Sequence, residues 1–170
     1  MKKLSMKKLS CTSIILLFLA VFVLSGCGGG SSGTTVTQPT AAVVKLLSSG
    51  TGTTIGGIDM TIELPAGVSV MSTITPTTDA GVVTASGVAA TGSFIYGVYT
   101  AATSTGPATL KIVLANATGF DDGEFCTVNG SLEAGYSPSA SDFVLASFTA
   151  YDVSGNTISG VTPTFTVELQ

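Results

Sequence analysis

Apolar and polar side chains alternate strictly over Ile58–Leu64, and this pattern constrains the fold more than any other feature of the chain. Because successive side chains of a strand point to opposite faces, the apolar residues share one face and Asp59, Thr61 and Glu63 share the other. The C-terminal segment Thr164–Leu169 repeats the alternation. A period of two residues predicts half-buried strands rather than amphipathic helices.

Other segments have the β-branched and aromatic composition of strands, and turn clusters rich in Gly, Ser, Thr, Asn and Pro separate them. These segments are Ala42–Leu47, Val68–Met71, Val82–Val88, Phe94–Tyr99, Thr109–Ala115, Glu124–Leu132 and Phe143–Tyr151. About nine short strands at this spacing predict an all-β, two-sheet jelly-roll sandwich over residues 41–170.

Residues 1–26 have the layout of a secretion signal. A basic start is followed by the uncharged apolar run Ser13–Leu24 and then by the small residues Ser25 and Gly26. The apolar run is shorter than the roughly 20 residues that a transmembrane helix needs. We therefore predict a cleaved, helical signal peptide over residues 1–26.

The tetrad Leu24-Ser25-Gly26-Cys27 matches the lipobox of bacterial lipoproteins. The resemblance implies that Cys27 becomes the first residue and carries a diacylglyceryl thioether, often with a third chain on its amine. Because one acyl chain binds a membrane only reversibly, two or three chains are what make such an anchor stable. The alternative is an ordinary secretion signal with an incidental cysteine.

Residues 27–40 are rich in Gly, Ser and Thr and carry no charge, which is typical of a flexible tether. Gly28 stands directly after Cys27, where lipoproteins retained at the inner membrane tend to have Asp. The expected location is therefore the cell envelope, with the outer membrane or cell surface favoured over the inner membrane.

Charge and composition exclude some functions of the part after residue 26. Its ten acidic residues face only Lys45 and Lys111, so its net charge is −8, and the chain contains no Arg. An acidic surface without Arg cannot neutralise phosphates, so a nucleic-acid partner is not expected. The absence of His removes the commonest general base, and we expect a protein that is not an enzyme.

Cys126 is the one cysteine left after the signal peptide and the lipidated Cys27 are set aside. It has no cysteine with which to form an internal disulfide. Its position in a predicted strand favours a small buried hydrophobic residue, while an intermolecular disulfide or a reactive thiol remains the alternative.

The second half of the chain carries a family resemblance. It reads GFDDGEFCTVNGSLEA over residues 119–134 and continues to a strand that ends in the Asp152-Val153-Ser154-Gly155-Asn156 hairpin. The segment Gly57–Pro65 is similar to a strand that leads into a Tyr-Asp-Pro turn, although Leu64-Pro65-Ala66 replaces that turn here. Together these segments resemble cohesin domains.

The resemblance implies a non-catalytic jelly-roll sandwich that binds dockerin modules through one sheet face. Cohesins are also structurally akin to some carbohydrate-binding modules, so the second hypothesis is polysaccharide binding in extracellular catabolism. The expected partners are therefore an extracellular dockerin-like protein or a polysaccharide, together with the membrane through Cys27.

Three tyrosines and two acids are the candidate binding residues. Tyr96 and Tyr99 lie on one predicted strand, Tyr136 lies in a turn region, and Asp59 and Glu63 share the free face of Ile58–Leu64. Most aromatic residues after residue 26 lie on strand patterns that predict the core, and Tyr96 and Tyr136 are the best candidates for exposure. We expect strand faces without a large apolar patch, and, because the net charge is −8, salt-sensitive binding to a basic or polar surface.

Asp121, Asp122 and Glu124 form the densest acidic cluster of the chain. Carboxylates of this kind, together with backbone carbonyls, are ligands for Ca²⁺. A structural Ca²⁺ is thus the one cofactor that the sequence suggests. The alternative is a solvated acidic turn before a strand, with no cofactor.

Overall fold

A computed structural model describes residues 37–50 and 52–170, so the predicted signal peptide and Cys27 lie outside the described residues. Thr37–Gln170 forms one unit with its own core. Among the described residues, no helical segment has the length and apolar character that a membrane crossing requires.

Ten strands and two short 3₁₀ turns make up the described part. The strands are β1 (Ala41–Ser49), β2 (Ile55–Leu64), β3 (Val68–Ser69), β4 (Val83–Ala85), β5 (Ser93–Thr100), β6 (Ala108–Phe120), β7 (Gly123–Leu132), β8 (Val144–Tyr151), β9 (Thr157–Ile158) and β10 (Thr162–Leu169). Sheet A has the order β10-β1-β7-β3, with β4 also paired to β7, and sheet B has the order β5-β6-β2-β8-β9.

This architecture confirms the predicted two-sheet β-sandwich. All strand pairs are antiparallel, which lets each sheet bury one face and leave the other in water. The prediction of about nine strands missed β9, which has two residues, and it made β3 and β4 too long.

The core lies between the sheets and follows the alternation seen in the sequence. Ile58, Met60 and Ile62 of β2 are at most 1% exposed, as predicted, and they pack with Leu46 of β1 and Phe125 of β7. Burying a side chain of this size contributes about 1.5–3 kcal/mol relative to leaving it in water. The polar face of β2 is therefore the outer face of sheet B.

Cys126 lies on β7 with its side chain buried in the core. Desolvation raises the pKa of its thiol well above the ordinary value, with the charge of Glu124 adding to the effect. The prediction of a buried, hydrophobic cysteine is confirmed. A thiol so placed is neither accessible nor ionised at neutral pH.

The last residues of the predicted tether are bonded to the sandwich. Thr40 donates its N–H to the carbonyl of Gln170 at 2.7 Å and accepts the N–H of Leu132 at 2.8 Å. The Gln38 side chain accepts the N–H of Gly135 at 3.1 Å. The prediction of a flexible tether up to residue 40 is therefore wrong for this end, because Gln38 and Thr40 are held by the fold.

Candidate functional site

The outer face of sheet B carries a row of aromatic and small residues, of which Phe94 and Ala115 are exposed, Tyr151 is half-buried and Gly57 is buried. Strand register places Phe94 of β5 beside Ala115 of β6, then Gly57 of β2, then Tyr151 of β8. Ala115 and Gly57 have little or no side chain, so they form a low floor between the two aromatic rings. We call Phe94, Tyr96, Ala115, Gly57 and Tyr151 the aromatic face.

Phe94 and Tyr96 form the most exposed part of the aromatic face. Phe94 is 66% exposed and Tyr96 is 40% exposed. Their ring centroids are 5.9 Å apart and the rings are tilted by 49°, within the range of favourable aromatic pairs. Two aromatic rings held together in water form an apolar surface that protein interfaces use as an anchor.

A single ion pair neutralises the centre of this face. Lys111 of β6 reaches Asp59 of β2, with 3.0 Å between Nζ and Oδ2. The hydrogen bond and the charge of Asp59 raise the pKa of Lys111, and the phenols of Tyr96 and Tyr151 raise it further. Lys111 is therefore paired with Asp59 and presents no uncompensated charge to a partner.

The loop before β4 extends the same face at the edge of β5. Bridges pair Ile74 with Thr77 and Thr77 with Val98, so the three side chains continue one row on the outer side of sheet B. Ile74 is 80% exposed. The Asp79 carboxylate holds the loop, because it accepts hydrogen bonds from both the N–H of Thr73, at 2.8 Å, and the hydroxyl of Thr73. These two bonds lower the pKa of Asp79.

The structure brings three of the five candidate binding residues onto one face. Tyr96 and Asp59 belong to the outer face of sheet B, and Glu63 lies on it beside Val144 and Thr109. Tyr99 has the opposite orientation on β5 and packs against the core. Tyr136 lies after β7, in the loop at one end of the sandwich.

Two expectations about this face were wrong. Phe94 was not among the predicted exposed residues, because most aromatic residues lie on strand patterns that predict the core, but it is exposed on the outer face. The face also carries an apolar patch, which the strand pattern had not predicted. The physical reason is that β5 has large apolar residues on both sides, so that its alternation does not distinguish inside from outside.

The acidic cluster does not converge on a common point. Asp122 accepts the N–H of Gly50 at 2.9 Å, whereas Glu124 accepts the hydroxyl of Thr127 at 3.3 Å. Asp121 is exposed in the turn between β6 and β7. Among the described residues, no group of three or more potential metal ligands is placed to hold an ion.

No family model and no curated protein matches the chain. The chain is similar to a non-cellulosomal cohesin from the hyperthermophilic archaeon Archaeoglobus fulgidus, at 17% sequence identity and a TM-score of 0.48, covering 72% of this chain and 75% of that chain. At this identity the similarity does not indicate which partner the chain binds.

Proposed function

We propose that this chain is a non-catalytic lipoprotein whose sandwich domain binds a protein partner through the aromatic face. The observation that carries the proposal is the exposed Phe94–Tyr96 pair beside the low floor of Ala115 and Gly57. Exposed aromatic residues on a rigid sheet lose little conformational entropy on binding, which makes them effective anchors.

The face favours a partner that presents apolar side chains. The Lys111–Asp59 pair is neutral as a unit, and the surrounding residues Val98, Val113 and Ala115 are uncharged. Binding should therefore depend on apolar burial and only weakly on salt, in contrast to the salt-sensitive binding expected from net charge. The cohesin resemblance of the sequence suggests an extracellular dockerin-like protein as this partner.

We propose that lipid on Cys27 holds the domain at the cell envelope, on the outer membrane or cell surface. The proposal rests on the lipobox Leu24–Cys27 alone. Cys27→Ser should abolish incorporation of a fatty-acid analogue in living cells, because the acyl chains attach through the cysteine sulfur. Equal labelling of the wild type and the variant would contradict the anchor.

The binding proposal is tested by capture from the secreted proteins of the same organism. The full chain serves as bait in three forms: wild type, the double variant Phe94→Ala/Tyr96→Ala, and the control Tyr136→Ala. Loss of the two anchor residues should weaken the binding of a specific partner at least about thirtyfold, which corresponds to about 2 kcal/mol of binding free energy. The control should capture the partner as the wild type does, since Tyr136 lies on another part of the surface.

A partner captured equally by the wild type and the double variant would contradict the proposed face. Both substitutions are at exposed positions, so the double variant should fold and melt close to the wild type. Repeating the capture at 50 mM and 500 mM salt should change the yield little.

A further inference from the structure

Two cavities lie side by side at one end of the sandwich, away from the aromatic face. Their volumes are about 300 and 370 Å³, and the Pro65–Ala66 turn after β2 borders both. Tyr99 and Glu133 line the first cavity, and Tyr136 and Asp142 line the second. Each cavity therefore combines one tyrosine with one carboxylate.

The ring of Tyr136 is a preformed flat platform beside the second cavity. It lies over the Cα of Gly67, because a Cβ built there would come within 2.2 to 2.7 Å of three ring carbons. Gly67 also has a φ of +79°, which other residues rarely adopt. One side of the ring thus rests on backbone, while the residue remains 43% exposed.

Backbone hydrogen bonds fix the segment that carries this ring. Glu133 donates its N–H to the carbonyl of Gly67 at 2.9 Å, and Tyr136 donates its N–H to the carbonyl of Glu133 at 3.3 Å. The ring and the Glu133 carboxylate therefore belong to one braced turn. Little conformational entropy is left to lose when a ligand binds.

Polar acceptors line both cavities. Asp142 uses Oδ2 to accept the N–H of Ser139 at 2.7 Å and its hydroxyl at 2.8 Å, which leaves Oδ1 for another donor. Within residues 52–170, the Glu133 carboxylate and the Tyr99 hydroxyl make no hydrogen bond to another side chain or to the backbone. These groups can accept hydrogen bonds from a ligand rich in hydroxyl groups.

We propose that the two cavities and the Tyr136 ring form a binding site for a neutral oligosaccharide. A sugar ring has an apolar C–H face, which packs on an aromatic ring, and a rim of hydroxyl groups, which donate to carboxylates. The cavities are at the small end of ligand sites, which start near 300 Å³, so each suits about one sugar unit. The oligosaccharide would cross the Pro65–Ala66 turn between the two cavities.

The charges at this end of the sandwich select against acidic sugars. Glu133 and Asp142 supply two negative charges, and both lysines of the described residues are engaged elsewhere, Lys111 with Asp59 and Lys45 with Glu168. A uronate would meet repulsion with no cation to offset it. This site is independent of the proposed protein-binding face.

Calorimetric titration of the full chain in a detergent without sugar groups tests the site. The probes are the hexasaccharides of cellulose, xylan, mannan and starch, with hexagalacturonate as the acidic comparison. We expect at least one neutral probe to bind and hexagalacturonate not to bind. Tyr136→Ala should weaken that binding at least about tenfold, and Tyr136→Phe less than about threefold, because stacking on the ring dominates.

Two further variants keep the outcome decisive. Glu133→Gln is an exposed substitution that should leave folding intact and weaken binding at least about threefold, since a charged acceptor becomes a neutral one. Phe94→Ala, on the aromatic face, should bind the sugar as the wild type does. The proposal is overturned if no neutral probe binds, if hexagalacturonate binds better, or if Tyr136→Ala and Glu133→Gln both bind normally.

Discussion

Asn116 offers the sharpest test of how the fold positions the aromatic face. It is a buried polar residue on β6, 3% exposed, whose amide makes five hydrogen bonds. The amide nitrogen donates to the Thr91 carbonyl and to the Ser93 hydroxyl, both at 2.9 Å. The amide oxygen accepts the N–H groups of Thr118 and Gly119, both at 3.0 Å, and the Thr118 hydroxyl at 2.8 Å.

Asn116→Ala should lower the free energy of unfolding by about 3 kcal/mol or more. Each hydrogen bond contributes about 0.5–1.5 kcal/mol net, so the loss of all the Asn116 side-chain bonds gives a total of about 3 kcal/mol or more. Donors that are left unpaired add to this loss of stability. Some of the freed groups are only partly buried and regain water, which is why the lower part of the range applies. The affected residue Ser93 directly precedes Phe94.

Urea unfolding of the full chain, followed by tyrosine fluorescence, measures this loss. Asn129→Ala is the matched control, because Asn129 is exposed on β7 and its side chain donates one hydrogen bond, to the Gly81 carbonyl at 2.8 Å. Loss of this one hydrogen bond in Asn129→Ala should lower the free energy of unfolding by less than about 1 kcal/mol. Free energies of unfolding within about 1 kcal/mol of each other for the two variants, at equal denaturant slopes, would show that the Asn116 hydrogen bonds do not hold this end of β5.

Three further outcomes follow from the described contacts. Native Cys126 should resist a thiol reagent and react only on unfolding, so rapid native labelling would contradict its burial. Hydrogen bonds lower the pKa values of Asp79, Asp142 and Asp152 in the folded chain. These carboxylates should therefore stabilise the fold at pH values above their ordinary pKa, and that stabilisation should be lost as acid protonates them below about pH 4. An unfolding midpoint that does not change between pH 6 and pH 3 would count against this. Millimolar Ca²⁺, compared with chelator, should leave the melting temperature unchanged, because Asp122 and Glu124 accept hydrogen bonds from different groups, the Gly50 N–H and the Thr127 hydroxyl; a rise of several degrees would restore the calcium hypothesis.

The sequence predicted β2 well because its alternation is unambiguous. Every apolar residue of Ile58–Leu64 is buried, and no apolar residue lies on its other face. On β5 the same rule gives no answer, since Phe94 and Tyr96 alternate with Ile95 and Tyr99. The inner face of β5 leaves no room for a side chain at Gly97, because a Cβ there would come within 2.7 Å of a β4 side chain.

Contacts between distant parts of the chain account for most of what sequence patterns missed. Nothing in the local sequence indicates that Tyr136 rests on Gly67, because only the folded chain brings them together. Conversely, Asp122 and Glu124 are close in sequence, yet their side chains bond to Gly50 and Thr127 respectively.

If the aromatic face is the protein-binding surface, a bound partner should shield its aromatic rings, and hydroxyl-radical footprinting of the captured complex measures this shielding. Oxidation of Phe94 and Tyr96 is measured in the free chain and in the complex, with Tyr136 as an internal reference of similar exposure to Tyr96. We predict strong protection of Phe94 and Tyr96 and unchanged oxidation of Tyr136. Equal oxidation of Phe94 and Tyr96 with and without the partner would contradict the claim.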